Sequence, residues 1–339
     1  MPLRHLFLTL TALAVLPALA DTAAPRSQWH AGIERGYQHL ASTSAGLETS
    51  ARAYCDDPTD QTRSDLEAQW RDAFLAWQAV RFVDFGPIEQ DSLAWQFQFW
   101  PDPKNLIARK ANYYLDLGKP VAAEDVNEAG VAVQGFPMVE YLLFDPRLGE
   151  GDRALPADKA CSLLGAVTAH LAGNATRVAD AWGDLEPRYM DTPLYRDTTV
   201  ESGMAALALL EERRLGAPMG LRGSGKRSIY EADAWRSGQS MAAIEASLQG
   251  LYDAFLPGLE TALVEVDRQA LADRIRAQFE ETLVRFDNLP ASMAPLLDDD
   301  RFGELQGLYA DLAQLSSLVS DQAGPALGVV RGFNSSDGD

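Results

Sequence analysis

Apolar residues recur every three or four positions through most of the chain, which is the spacing of a helix with one buried face. The clearest stripe follows Ser64 and runs through Leu66, Trp70, Ala73, Trp77 and Val80. Comparable stripes run from Lys159 to Trp182 and from Asp267 to Phe286. Alternating β-branched segments bounded by tight turns, which would indicate strands, are nearly absent. The pattern therefore predicts an all-α protein.

The same spacing predicts where the helices lie and how they are grouped. Ser64 and Glu67 have the spacing of a capping box, which predicts that the second helix begins there. A turn-rich connector from Asp145 to Pro156 divides the helices about evenly. This predicts two packed four-helix-type bundles, an N-terminal one at 21–150 and a C-terminal one at 151–325. Helices are expected near 27–55, 63–82, 103–116, 123–144, 157–184, 199–215, 231–255, 267–288 and 300–322.

The two ends of the chain differ from the helical body. Residues 1–20 combine a short basic start, an apolar segment and a final Ala18-Leu19-Ala20, which is the pattern of a cleavable secretory signal peptide. The apolar segment is shorter than the roughly 20 residues of a membrane span, and no later segment is long and uncharged enough to be one. Residues 326–339 form a polar tail. We therefore expect an exported, periplasmic protein with no membrane span.

Charge and cysteine content narrow the range of partners. The formal net charge of −20 argues against nucleic acid, because basic patches supply most of that affinity. Only two cysteines occur, Cys55 and Cys161, and an oxidising compartment favours a disulfide between them. His30 and Glu34 stand four residues apart, but so near the start of the chain they are expected on a solvated helix face. Composition thus leaves a binding protein, a hydrolase or a scaffold open.

The segment from Gln134 to Pro146, QGFPMVEYLLFDP, places one carboxylate in the most apolar part of the mature chain. Pro137 suits the first turn of a helix, so Gly135 should break the chain and a short helix should end before Pro146. Glu140 has apolar neighbours on every side of that helix, which indicates burial. A buried carboxylate needs an arginine, hydrogen-bond donors, a bound ion or its own proton. Glu140 is therefore either part of a structural ion pair or the centre of a site.

Other polar and aromatic segments supply candidate partners for Glu140. The segment EADAWRSGQSM starts at Glu231 and is expected to open a helix, whose first turn would present free amide donors. Two earlier segments, RFVDFGPIEQD and FQFWPDP, join aromatic rings to carboxylates and sharp turns. Together these segments predict a pocket at the seam between the bundles. The candidate ligand-binding residues are Gly135, Glu140, Phe85, Gly86, Pro87, Trp100, Trp235, Arg236 and Ser237.

These segments resemble the imelysin family of exported bacterial proteins, which is classed with peptidase M75. The resemblance rests on the tryptophan-bearing second helix, the turn from Phe85 to Pro87, the segment from Gly135 to Glu140, and WRSGQS in the second half. It implies an all-helical fold of two bundles, a GxHxxE motif near the interface between halves, and an iron-regulated role at the cell envelope. Peptidase activity is attributed to some members of the family.

The chain departs from the family motif at one position. GFPMVE keeps Gly135 and Glu140 but has Pro137 where the motif has histidine, and proline has no ligand atom. Glu140 is then the one remaining metal-ligand candidate, whereas catalytic zinc has three protein ligands. The leading hypothesis is a non-catalytic protein that binds an iron species, a carrier or an envelope iron-uptake protein at the seam, and the residues name no cofactor beyond iron. A hydrolase with Glu140 as general base and an envelope scaffold are the alternatives.

Overall fold

The computed structural model describes residues 23–117, 119–223 and 225–329. The predicted signal peptide lies outside the described residues, as does most of the predicted polar tail. Helices dominate all three described ranges and no strand occurs in them, which confirms the all-α prediction. Within these ranges, none of the helices combines the length and the apolar character that crossing a membrane requires.

Three of the helices continue into π-helical turns. Such turns follow α8 at Leu209–Gly216, α9 at Leu251–Phe255 and α12 at Leu318–Ala323. In chain order the α-helices are α1 (Ala24–Asp56), α2 (Asp60–Val80), α3 (Leu93–Phe97), α4 (Leu106–Leu115), α5 (Ala123–Asn127), α6 (Phe136–Phe144), α7 (Asp158–Asp191), α8 (Leu194–Ala208), α9 (Ser240–Gly250), α10 (Leu256–Glu265), α11 (Gln269–Phe286), α12 (Phe302–Ser317) and α13 (Gly324–Ala326).

Helix α1 occupies the centre of the fold. It packs along α7 and α2. It also contacts α10 and the π-helical turn Leu251–Phe255, which precedes α10. Trp29 on α1 is fully buried and donates a hydrogen bond from Nε1 to the carbonyl oxygen of Phe255 at 2.7 Å. Helices from both halves of the chain therefore share one continuous core. The division of the chain at residues 150 and 151 stays a prediction.

The disulfide predicted from the cysteine count is present. Cys55 and Cys161 are bonded, with an S–S distance of 1.99 Å, and they are 106 positions apart in sequence. The bond joins the end of α1 to the start of α7, the two helices that pack side by side. It therefore fixes the register of this central pair.

The predicted start of the second helix is wrong by several residues. Helix α2 begins at Asp60, and its capping box is formed by Thr59 and Thr62 rather than by Ser64 and Glu67. The Thr59 hydroxyl accepts from the Thr62 amide at 3.1 Å, while the Thr62 hydroxyl accepts from the Thr59 amide at 2.9 Å. Threonine replaces the glutamate of the usual box, which is why the pattern pointed to the later pair.

Two longer predicted helices are interrupted. The one at 123–144 is two helices, because α5 ends at Asn127 and Gly135 adopts φ +85° immediately before α6. The one at 231–255 begins only at Ser240. Ala234 and Gly238 have φ values of +48° and +69°, which a right-handed helix cannot contain. The segment with Trp235, Arg236 and Ser237 is thus a sequence of turns.

His30 is buried rather than solvated, which overturns the expectation for this residue. Its ring stacks on Trp182 at 5.4 Å between centroids and its Nε2 lies 3.1 Å from the Trp182 carbonyl oxygen. The indole N–H of Trp182 donates in turn to the His30 carbonyl oxygen at 3.2 Å. Because α1 is central, even its first turns are covered by α7. His30 is a core residue.

Candidate ligand-binding site

Gly135 sets the position of the helix that carries Glu140. It precedes α6 with φ +85°, a backbone conformation that residues with a side chain rarely adopt. A β-carbon at this position would overlap the carbonyl oxygens of Gln96 and Phe97. Pro137 occupies the first turn of α6. Backbone N–H groups in a first turn have no hydrogen-bond partner within the helix, so the N–H that proline lacks is not needed there. These two residues bring α6 tightly against the C-terminal end of α3.

Glu140 is buried and is held by hydrogen-bond donors from the distant second half of the chain. It is 4% exposed. The backbone N–H and the hydroxyl of Ser237 both donate to Oε1, each at 2.9 Å. Among the described residues, nothing donates to the other oxygen, Oε2. One oxygen of the carboxylate is thus fixed and the other is left for a ligand.

The protonation of Glu140 reflects this environment. Burial raises the pKa of the carboxyl above its ordinary value, and the two hydrogen bonds from Ser237 and the charge of Arg236 oppose that rise. The charge of Asp233 adds to the rise. The carboxyl therefore holds its proton at a pH where an exposed glutamate has lost it.

Glu140 lines a cavity of about 520 Å³. This volume is within the ~300–1,000 Å³ typical of small-molecule sites. Its wall combines aromatic rings with charged groups, the composition expected of such a site. Three predicted site residues, Trp100, Trp235 and Arg236, line it together with Glu140. The other lining residues include Trp70, Phe74, Phe99, Phe136, Tyr230, Asp102, Asp145, Arg147, Glu231 and Asp233.

Two arginines converge on Asp145 at the end of α6. Arg236 donates from Nε to Oδ2 at 2.8 Å, and Arg147 donates from Nε and Nη2 to the two oxygens at 2.7 Å each. Burial alone would raise the pKa of Asp145, but these hydrogen bonds outweigh it and lower the pKa to about 2. Arg236 also stacks on Trp235, with its guanidinium carbon 4.3 Å from the ring centroid. The pair Asp145–Arg236 thus places a guanidinium in the cavity wall.

A second buried ion-pair network, centred on Asp233, forms part of the cavity wall. Its Oδ2 accepts from Arg214 at 2.7 Å and from the side-chain amide of Gln98 at 3.2 Å. Arg81 lies 3.8 Å from the same oxygen and donates to the amide oxygen of Gln98 at 2.7 Å. Gln98 also accepts from the indole N–H of Trp77 at 2.9 Å. The network ties α2 to the turns of the second half of the chain.

The structure separates one group of predicted site residues from the others. Phe85, Gly86 and Pro87 do not line the cavity, and Phe85 packs on an aromatic cluster of Trp182, Tyr189 and Tyr195 instead. The Gly86 amide donates to the side chain of Glu89 at 2.8 Å, so it is used within its own turn. Gly135 and Ser237 do not line the cavity either, but they position Glu140.

Sequence reasoning missed Asp145, Arg147 and Asp233. The turn-rich pattern places Asp145 in a connector, although its position directly after the apolar helix, with an arginine two residues later, is a usable signal. Asp233 gave no signal, because its partners Arg214 and Arg81 come from separate parts of the chain.

The donor atoms at the site do not fit a resident metal ion. Within the described ranges, no group of three or more histidine, cysteine, aspartate or glutamate side chains is arranged to hold one. Pro137 stands where the motif histidine would supply a nitrogen. Asp145 and Asp233 are each committed to arginines. Glu140 alone is too few ligands for a stable metal site.

The comparisons with known proteins identify the family of the chain. The family model described as imelysin, peptidase M75, matches residues 33–319. The chain belongs to the imelysin family. The matched range of this imelysin-family protein runs from α1 to the π-helical turn after α12, so it includes α6 and the whole cavity wall.

Two solved structures share the fold. An imelysin-like protein from Psychrobacter arcticum is 20% identical, with 95% of this chain and 100% of that chain covered and a TM-score of 0.81. A protein from Parabacteroides distasonis, named as an iron-regulated protein A precursor, is 13% identical, with 90% and 96% covered and a TM-score of 0.67. No curated protein matches the chain. These likenesses confirm the imelysin fold that the sequence predicts.

Proposed function

We propose that this imelysin-family protein is an exported, non-catalytic binding protein of bacterial iron acquisition, which takes an organic iron carrier into the cavity beside Glu140. The observation that carries the proposal is a buried carboxylate with one oxygen left for a ligand, set in a cavity of about 520 Å³ next to a guanidinium and aromatic rings. The link to iron is supported by the family and by the name of the Parabacteroides distasonis relative in fold.

The chemistry of the wall favours a carrier over a bare ferric ion. Hard cations need several oxygen ligands, and Glu140 is the one carboxylate of the wall that is buried without an arginine. Arg236 and Arg147 supply hydrogen-bond donors for anionic oxygens of an organic ligand. The indole rings of Trp100 and Trp235 offer faces for its apolar or planar parts. An organic ligand can therefore interact favourably with both the carboxylate of Glu140 and the arginines of the wall.

Export to the periplasm is supported by two independent features. Residues 1–20 have the pattern of a cleavable signal peptide. The Cys55–Cys161 disulfide is typical of proteins that fold in an oxidising compartment. N-terminal sequencing of protein purified from the periplasm tests this proposal directly, with Asp21 expected as the first residue. A mature protein that still begins at Met1 would contradict it.

A hydrolase is the second candidate, and the raised pKa of Glu140 is the observation that favours it. A carboxylate with such a pKa is a stronger base, and it faces a cavity that could admit a substrate. Peptide cleavage by the wild-type protein that disappears in Glu140→Gln would favour the hydrolase. An envelope scaffold would be favoured by partner binding that neither Glu140→Gln nor Arg236→Met alters.

The leading proposal can be tested by measuring whether iron stays bound to the protein during purification. The periplasmic protein would be purified from iron-replete cells by gel filtration without chelator, and its iron and bound organic molecules measured by elemental analysis and mass spectrometry. We expect iron together with an organic molecule in the wild-type protein and in Glu186→Gln, an exposed control on α7. Both should be lost in Glu140→Gln. Iron-free wild-type protein with no bound molecule would contradict the proposal.

A further inference from the structure

A second, smaller cavity lies apart from the one beside Glu140. It has a volume of about 230 Å³ and is enclosed by the end of α2, by α8 and α9, and by two π-helical turns. No residue lines both cavities. The volume is below the ~300 Å³ at which drug-sized sites begin, so a ligand here must be small.

Most of the wall of this second cavity is apolar. The apolar side chains come from the turn after α2, from α8 and from both π-helical turns: Phe82, Ala205, Ala206, Leu209, Leu210 and Leu251. The π-helical turns Leu209–Gly216 and Leu251–Phe255 both contribute to the wall. Such turns are rare and occur frequently at functional sites, because they displace side chains from the regular helical positions.

A cluster with an excess positive charge forms one side of the cavity. Arg81 and Arg214 share the single carboxylate of Asp233, at 3.8 Å and 2.7 Å. Arg214 is 1% exposed and donates to Asp233 and to Ser247, which hold its guanidinium in place. Arg81 uses only Nη1 for Gln98 and Gln78. Among the described residues, Nε and Nη2 of Arg81 have no hydrogen-bond partner.

A single carboxylate, Asp84, lies at the exposed rim of the same cavity. It makes no ion pair with Arg81 or Arg214 within the described part of the chain. The cavity therefore offers both a guanidinium and a carboxylate in a wall that is otherwise mostly apolar. A ligand with a carboxylate alone would meet repulsion from Asp84, whereas a ligand carrying both charges complements both groups.

We propose that this second cavity binds a free α-amino acid with an apolar side chain. The carboxylate of the ligand accepts hydrogen bonds from Nε and Nη2 of Arg81, its ammonium pairs with Asp84, and its side chain packs on Leu209, Leu210 and Leu251. The small volume excludes longer peptides. The two sites share no lining residue, although Asp233 in the wall of the larger cavity pairs with Arg81 and Arg214. This proposal does not rest on the function proposed for the cavity beside Glu140.

Isothermal titration calorimetry with L-leucine as the probe tests the proposal. We expect one L-leucine per chain, and binding at least about tenfold weaker for 4-methylpentanoate, which lacks the ammonium, and for leucinamide, which lacks the carboxylate. Asp84→Asn should weaken L-leucine binding by about tenfold without weakening 4-methylpentanoate. Arg81→Gln should weaken both of these ligands. Glu140→Gln should bind L-leucine as the wild-type protein does, which separates this site from the larger cavity.

Two results would overturn the assignment. The first is that neither L-leucine nor L-phenylalanine, at millimolar concentrations, gives a heat of binding with folded wild-type protein. The second is equal affinity for L-leucine and 4-methylpentanoate, which would remove the role of Asp84. Because Arg81→Gln also removes a member of the buried network, Ala206→Leu serves as a second variant that fills the cavity and leaves every charge in place. Unchanged L-leucine binding in Ala206→Leu would also contradict the proposal.

Discussion

Ser237 donates both its backbone N–H and its hydroxyl to the same oxygen of Glu140, each at 2.9 Å, although the two residues are 97 positions apart in sequence. Glu140 is the middle residue of α6, and the two donor groups of Ser237 lie in the turns before α9. This contact joins the two halves of the chain at the cavity. It also leaves Oε2 of Glu140 as the atom that can meet a ligand.

Removing the Ser237 hydroxyl should lower the stability of the fold. Ser237→Ala deletes one of the two donors to a buried carboxylate, and hydrogen bonds to charged groups contribute about 1.5–3 kcal/mol. We expect the free energy of unfolding in urea to fall by about that amount. Ser64→Ala, an exposed substitution on α2, should change it by less than about 0.5 kcal/mol. Equal effects of the two substitutions would show that the Ser237 contact contributes nothing.

The raised pKa of Glu140 makes stability depend on pH in a specific direction. In the unfolded chain this carboxyl ionises near its ordinary pKa of 4.5, whereas burial raises the pKa in the folded state. The folded state therefore binds more protons between the two values, and its stability falls as the pH rises through that interval. Below the unfolded pKa the contribution is fully present.

The comparison of wild-type protein with Glu140→Gln isolates this dependence, because all other titrating groups are common to both. Urea unfolding at a series of pH values should show the stability of the wild-type protein decreasing relative to Glu140→Gln as the pH rises above 4.5. The difference should level off once Glu140 is ionised in the folded protein. A difference that stays constant with pH would mean that the carboxyl is not perturbed by burial.

Breaking the pair between Arg236 and Asp145 should cost more than breaking an exposed pair. The side chains of Arg236 and Asp145 are 9% and 1% exposed, and removing one partner of a buried pair leaves an uncompensated charge. Because Arg147 still holds Asp145, we expect Arg236→Met to lower the free energy of unfolding by about 1.5–3 kcal/mol. Arg301→Met, which breaks an exposed pair with Glu304, should cost clearly less, because solvent screens an exposed pair. A larger loss in Arg301→Met would contradict this account.

The disulfide should stabilise the fold mainly through the unfolded chain. Cys55 and Cys161 are 106 residues apart, and the chain-entropy estimate for a loop of about 100 residues is roughly 4–5 kcal/mol. The double variant Cys55→Ser/Cys161→Ser should lose about this free energy of unfolding. Reductant should destabilise the wild-type protein and leave the double variant unchanged. A double variant as stable as the oxidised protein would contradict the prediction.

The sequence predicts the helical class and the burial of Glu140 because both depend on local pattern. A helix with apolar residues on every side has no solvated face, so Glu140 had to be buried whatever packed around it. The break at Gly135 and the start of α6 before Pro137 likewise follow from backbone rules that hold within a few residues. Hydrogen-bond donors were among the partners expected for Glu140, and Ser237 was among the candidates.

The remaining parts of the site depend on contacts that local pattern does not encode. The turn at Ala234 requires φ +48°, which an alanine rarely adopts, so the segment was predicted to be helical. Asp233 and its two arginines meet only through tertiary packing. The position of His30 near the start of the chain predicts a solvated face, but His30 follows the buried Trp29 and its helix is central to the fold.

Binding of a ferric carrier to the cavity beside Glu140 tests the proposed function most directly. Ferric citrate and a ferric trihydroxamate would be titrated into wild-type protein, Glu140→Gln and Glu186→Gln, with tryptophan fluorescence as the signal because Trp70, Trp100 and Trp235 line the cavity. We predict saturable quenching at one complex per chain for at least one of these ligands. Its affinity should be unchanged in Glu186→Gln and at least about tenfold weaker in Glu140→Gln. Equal affinity in all three proteins, or no saturable binding of either complex, would contradict the account.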